Sequence, residues 1–422
     1  MIRQWLAGIL RLQVPIWLVV PLLALTLVLG LGGGYLAALR LTSPCPLSAD
    51  VCAGFANFWQ TWKLVSEQYV DPQAVDPKRM TVGAIEGMLD TLGDRGHTRY
   101  LPPEAAQAEQ EWLSGRFEGI GAYIDVRDDQ PIIVQPIEGS PAERAGLRPG
   151  DRILKVNGES VQGITIEELK NKVRGPKGTT VTLTITHEGE ELPIDVTVTR
   201  EEIYVPNVSW RMLPNKVAFI HLLQFASRSS EELKQALTEA QAQGAQAVVL
   251  DLRNNPGGLV DELIGAASQF LPPDTTVLLE ADRAGNRTPY KTREGGVAQD
   301  IPLVVLVNNN TASSAEILAG ALKETGRARV IGVPTFGTAT VLRTFNLEGG
   351  AQLRLGTTQW LTPGGKQVRG EGIQPDELVA LPPGAAPLSP SEAAKLDLPA
   401  LLTSQDTQLA RALERAQEIA RK

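Results

Sequence analysis

Between residues 12 and 39 the chain carries no charge, and residues 17–29 are almost wholly apolar. Roughly 20 apolar residues cross a bilayer, so this stretch is long enough to span one. Arg3 and Arg11 ahead of it favour a cytoplasmic N-terminus and an exported body, on the periplasmic or extracellular side. A cleaved signal peptide is the competing reading, but the run is longer than an ordinary signal core and no small-x-small site follows it. Residues 1–41 are therefore expected to be a cytoplasmic tip and a single membrane anchor. Beyond it, Phe55, Phe58, Trp59, Trp62 and Val65 fall at helical steps. Val82, Ile85, Met88, Leu89 and Leu92 repeat the pattern up to Gly93, so residues 42–115 read as a helical region.

The periodicity then changes. Residues 132–134, 152–156, 181–185 and 194–198 read as short strands, with turns such as Asn157-Gly158 and one helical stretch from Ile166 to Val173. Residues 116–203 thus predict a small strand-rich domain. From residue 204 to 381, apolar runs at 217–220, 247–252, 303–307 and 328–333 alternate with helical patterns, the mark of βα units around a buried sheet. Residues 382–422 read as a Pro- and Ala-rich linker and a last helix with Leu409, Leu413, Ala416 and Ile419 on one face. The fold class expected is a multidomain α/β and α+β chain.

Composition removes several functions. A length of 422 residues suits two or three domains, and a hydrophobic share of 43% fills their cores. A net charge of −8 argues against a nucleic-acid footprint. The three histidines have no ligand spacing, and no Walker-type loop occurs, so neither a metal nor another cofactor is expected. Cys45 and Cys52 are the only cysteines; in an oxidising compartment they could close a short disulfide loop or remain two thiols.

The candidate chemistry lies at residues 305–317, where an apolar strand meets polar residues, Ser313, and an alanine-rich helix. A serine at such a turn stands near backbone N–H groups able to hold an oxyanion, although Thr311, Ser313 and Ser314 also suit a plain helix cap. Upstream, Pro256-Gly257-Gly258 lacks bulk, so its backbone can approach a substrate carbonyl.

Taken together these residues resemble the carboxyl-terminal processing proteases, PDZ-containing serine peptidases of the S41 type. The likeness rests on Phe117-Glu118-Gly119-Ile120-Gly121, on Gly139-Ser140-Pro141-Ala142 with the run from Ala145 to Asp151, on the run from Leu252 to Gly258, and on the run from Gly370 to Asp376. It implies that 116–203 is a PDZ domain and 204–381 the protease core. Ser313 would be the nucleophile, and Gly257, Gly258 and Ser314 the oxyanion donors. Gly119, Ile120 and Gly121 would capture a terminal carboxylate beside a groove walled by Leu169 and Val173. Extended protein C-termini are the implied ligands or substrates.

One motif departs from the pattern. The family opens Lys-Gly-x-Val-Gln after Phe-Gly, and here Thr338 stands at the lysine and Leu342 at the glutamine. Threonine is no general base near neutral pH, so catalysis is expected to be impaired or absent. The protein would then bind tails as a regulator, alone, as a homo-oligomer or with an active homologue. The alternative is an active endopeptidase with another base, for which Lys323, Lys366 and His221 are the candidates.

Overall fold

A computed structural model of the chain describes residues 26–27, 30, 48–94, 97–127, 129–137, 139–187, 189–190 and 192–421. Apart from Thr26, Leu27 and Gly30, the expected anchor lies outside them, as do Arg3, Arg11 and Cys45. Among the described residues no helix is long and apolar enough to cross a membrane. Cys52 is held in a disulfide.

The chain forms two compact units, Met1–Gly83 and Ala84–Lys422. The first contains the helix Ala49–Gln68, whose aromatic stripe packs on itself: the Phe58 ring lies 4.9 Å from Trp59 and 5.9 Å from Trp62.

In the second unit the protease-like core is a six-stranded sheet. Its order is Val208–Leu213, Val217–Leu222, Ala247–Asp251, Leu303–Val307, Arg329–Gly332 and Glu377–Leu378. The first pair is antiparallel and the others parallel. Alternate residues serve opposite faces. Ala218, Ile220 and Leu222 pack with the helices Ser229–Ala242, Val260–Phe270 and Ser314–Glu324. Phe219, Val249, Val304 and Leu306 pack instead with Leu409, Leu413 and Ala416 of the helix Thr407–Ala420. Burial on both faces is why the run Leu303–Val307 is apolar throughout. The C-terminal helix, expected to trail behind a linker, therefore covers the second face of the sheet, and Leu388 within that linker packs beside it.

A second sheet, not foreseen from the sequence, roofs the core. It joins Arg99–Leu101, Gln352–Leu361, Thr276–Ala281 and Arg287–Lys291, with Thr340–Asn346 paired to Gln352–Leu361. Its strands are antiparallel and come from distant parts of the chain.

Residues 122–199 form the antiparallel sheet of the PDZ domain, in the order Ala122–Arg127, Gln130–Pro136, Arg152–Val156, Thr180–Thr186, Ile194–Thr199. The helix Ile166–Val173 opens on a capping box in which the Glu168 carboxylate accepts from the Thr165 N–H at 2.8 Å. The strands entering and leaving the domain, Arg116–Gly119 and Glu201–Tyr204, zip together as an antiparallel ribbon.

Candidate active site

Ser313 ends the loop between the strand Leu303–Val307 and the helix Ser314–Glu324, at φ 53° and ψ −121°. A side chain at positive φ outside the left-handed helical well stores strain of order 1–3 kcal/mol, which the surroundings must hold in place. The neighbouring turn does so. Asn254 accepts from Asn308 Nδ2 at 2.8 Å and from Asn310 Nδ2 at 3.0 Å, Ala312 N–H donates to Asn255 O at 2.9 Å, and Thr311 Oγ1 donates to Leu252 O at 2.9 Å. Ser313 and Glu316 stand in the capping-box arrangement that opens the helix Ser314–Glu324.

The helix start is organised by Glu316, fully buried. Its Oε2 accepts from the Ser313 N–H at 2.9 Å, the Thr338 N–H at 3.0 Å and Thr338 Oγ1 at 2.6 Å. Oε1 accepts from Thr335 Oγ1 at 2.5 Å and the Gly337 N–H at 2.6 Å. A buried carboxylate needs such a set of donors to remain stable away from water. Thr338 Oγ1 also accepts from the Ser313 N–H at 2.8 Å. Thr338 is thus placed directly beside Ser313, and its hydroxyl is committed to Glu316. Leu342 is half-buried in Thr340–Asn346 and lines the same cleft. The role of Glu316 was missed from sequence, although the Ser-x-x-Glu spacing of Ser313 and Glu316 was its signal.

The donors named for an oxyanion divide. The Gly257 N–H is taken by Asn255 Oδ1 at 2.8 Å, a correction to the sequence assignment that follows from Asn255 folding back under the turn. Among the described residues, no backbone acceptor takes the N–H of Gly258 or of Ser314. Ser314 Oγ donates to Gly258 O at 2.9 Å, which ties the two segments together. Only glycine fits at 258, where a Cβ would come within 2.3 Å of Phe225 O.

A cleft of about 360 Å³ contains Ser313, Ser314, Gly258, Thr338, Leu342, Trp112 and, unexpectedly, His97. The candidate bases read from the sequence lie elsewhere. Lys323 binds Gln374 O at 2.5 Å and lines a separate cavity, Lys366 points outward toward Glu324, and His221 sits on a strand of the core sheet. His97 carried no sequence signal because its partner Thr340 is 243 residues away.

In the PDZ domain the edge strand Ala122–Arg127 borders a groove of about 520 Å³, lined by Gly119, Ile120, Gly121, Tyr123, Lys170, Val173, Arg174 and Trp112. Among the described residues, no backbone acceptor takes the N–H of Ile120 or Gly121. Gly121 has φ 76°, and a Cβ there would lie 2.5 Å from Ser140 Cβ. Leu169 does not wall this groove. It is fully buried in the domain's own core with Ile133 and Leu183, because its face of the helix turns inward.

This arrangement, an elbow serine over paired turns with a PDZ domain inserted before it, defines an S41-type peptidase scaffold. Residues 216–379 match the model described as peptidase family S41, and residues 132–186 match a PDZ domain. The chain is 38% identical over 323 residues to a probable CtpA-like serine protease of Staphylococcus aureus, covering 76% of this chain and 64% of that one. It is 37% identical over 311 residues to the carboxy-terminal processing protease CtpA of Bacillus subtilis, covering 74% and 66%. The chain thus spans less than two thirds of the length of these relatives. A crystal structure of a putative S41 protease from Bacteroides fragilis shares the fold, with TM-score 0.52 and 19% identity over 85% of this chain and 97% of that one. The chain thus carries an S41 peptidase region and a PDZ domain, and over about three quarters of its length it is similar to carboxyl-terminal processing proteases.

Proposed function

We propose that this protein is a membrane-anchored serine endopeptidase that captures exposed C-termini of exported proteins in its PDZ groove and attacks them with Ser313, without a Ser/Lys dyad. The observation that carries the reading is the strained elbow of Ser313 at φ 53°, beside N–H groups of Gly258 and Ser314 that no backbone acceptor takes among the described residues. A protein that only binds tails gains nothing from holding a serine at φ 53°. The anchor and export rest on the apolar run at 12–39 and on the arginines ahead of it.

A second reading is favoured by one observation: Thr338 fills the family's lysine position with a buried hydroxyl that cannot serve as base. The protein would then hold tails without cutting and regulate an active homologue. A fluorophosphonate probe separates the two readings. Stoichiometric labelling of Ser313, with cleavage of an unfolded substrate that Ser313→Ala abolishes, supports the peptidase. No labelling and no cleavage, with cutting gained by Thr338→Lys plus Leu342→Gln, supports the silent form.

In either reading the groove recognises a free carboxylate. A peptide with an apolar C-terminus is expected to bind, and amidating it to remove most of the affinity in a fluorescence-polarisation titration. Equal binding of the two would rule out capture through Ile120 and Gly121.

A further inference from the structure

Ser313 needs a proton acceptor, and the cleft offers few. Arg99 and Arg354 carry donors and no acceptor. Glu109 is held by both of them, at 2.7 Å and 3.3 Å. Thr338 and Leu342 have no basic atom. Among the described residues that leaves the imidazole of His97, which lines the same cleft as Ser313.

We propose that His97 is the general base for Ser313, an assignment that rests on the peptidase reading above. The geometry supports it from two sides. Thr338 Oγ1 touches the Ser313 N–H at 2.8 Å, and Thr340 Oγ1 touches His97 Nδ1 at 2.5 Å. Two residues of chain put the Cα atoms of Thr338 and Thr340 at most about 7 Å apart, so both contacts are made to one short segment that lines the cleft.

The hydrogen bonds also fix which nitrogen is basic. Thr340 Oγ1 lies 3.1 Å from Asp94 Oδ2, and a carboxylate only accepts, so the threonine proton goes to Asp94. Thr340 must then accept from His97 Nδ1–H, which leaves the lone pair on Nε2. Asp94 is itself held by Thr98 Oγ1 at 2.6 Å, and Thr98 accepts from the Gly356 N–H at 3.0 Å. Base, hydroxyl and carboxylate form a line in which the last two orient the first. Burial lowers the pKa of His97 below its ordinary 6.5, Asp94 opposes the shift and Arg99 adds to it. The ring is therefore neutral, and able to accept, near pH 7.

The step balances without another reactant. As Ser313 Oγ bonds to the scissile carbonyl carbon, its proton passes to His97 Nε2 and the carbonyl π pair moves onto oxygen beside Gly258 and Ser314. Collapse of that oxyanion breaks the C–N bond, and His97 returns the proton to the leaving amine. Water then repeats the sequence on the acyl-enzyme, giving a free carboxylate and restoring Ser313.

The test uses the full chain and an unfolded substrate with a free apolar C-terminus. Native protein, Ser313→Ala, His97→Gln, and His97→Ala with and without added imidazole are compared, with peptide binding to the PDZ groove as the control for folding. His97→Gln is expected to lower kcat about 10²–10⁴-fold with KM little changed. The native rate should fall on the acid side as His97 protonates, in the field of Asp94, Arg99, Glu109 and Arg354. That limb should be missing from the residual activity, and imidazole should restore part of the rate to His97→Ala. If His97→Gln keeps the native rate and the acid limb, the assignment falls while the peptidase reading stands. If the native chain binds peptide but cuts nothing, both fall. Should the His97 variants lose peptide binding, Thr340→Val decides: a drop in kcat of at least about tenfold from a mis-set imidazole supports the base. An unchanged rate overturns it.

Discussion

At the scale of single residues the site is a contest between strain and hydrogen bonding. Ser313 is held at φ 53° by Glu316 and the 254–258 turn, and glycine would sit there without penalty. Ser313→Gly is therefore expected to raise the midpoint of chemical unfolding by an amount equivalent to about 1 kcal/mol, while Ser313→Ala gains nothing comparable. Glu316 meets donors only, from Ser313, Thr335, Gly337 and Thr338. In Glu316→Gln the new NH₂ group faces N–H or O–H whichever way the amide turns. A loss of about 2–3 kcal/mol is expected, with loss of probe labelling at Ser313. Retained stability and labelling would show that Glu316 does not set the elbow.

At the scale of elements, the 254–258 turn depends on a helix from the far end of the chain. Arg253, 1% exposed, binds Asp251 at 2.6 Å and Asp406 at 2.7 Å, and Asp406 caps the helix Thr407–Ala420 through the Leu409 N–H at 3.0 Å. Burial opposes the Arg253 charge, but the two carboxylates outweigh it and hold its pKa above the ordinary value. Asp406→Ala strands that charge and should cost about 3–5 kcal/mol, with substrate cleavage falling before the secondary structure melts. An unaltered unfolding midpoint would refute this coupling. The ion pair was not legible in the sequence, where residues 382–422 read as a linker and a last helix with one apolar face. The core sheet was legible because burial on both faces leaves unbroken apolar runs such as Leu303–Val307. The roof strands Thr340–Asn346 and Gln352–Leu361 were not, since each exposes polar residues and is defined by its pairing partner. Likewise Ser313 and Thr338 were found through a local motif, whereas His97 needed the fold to bring Thr340 to it.

At the scale of the molecule the PDZ domain meets the core through the connector after Glu201–Tyr204. Glu232, on the core helix Ser229–Ala242, bonds Tyr204 Oη, the Asn207 N–H at 2.7 Å and Asn207 Nδ2 at 2.9 Å. Burial raises its pKa to about 7, against the backbone hydrogen bonds from Asn207 and Val208, with Glu262 adding to the rise. An acid with a raised folded pKa keeps its proton better when folded than when unfolded. Stability from this group is therefore full below the unfolded value near 4.5 and is lost as pH climbs to about 7. Glu232→Gln should flatten that decline, read as urea midpoints at pH 5 and pH 8, and an identical pH profile in the variant would count against the assignment. Trp112 carries a further consequence, because it borders both the PDZ groove and the cleft of Ser313. A tail gripped by its end on one side of this indole has a fixed run of chain to reach the other. Under the proposed function the protein would then measure as well as cut: fragments released from unrelated tails should share a narrow range of lengths, and trimming Trp112 to alanine should broaden it.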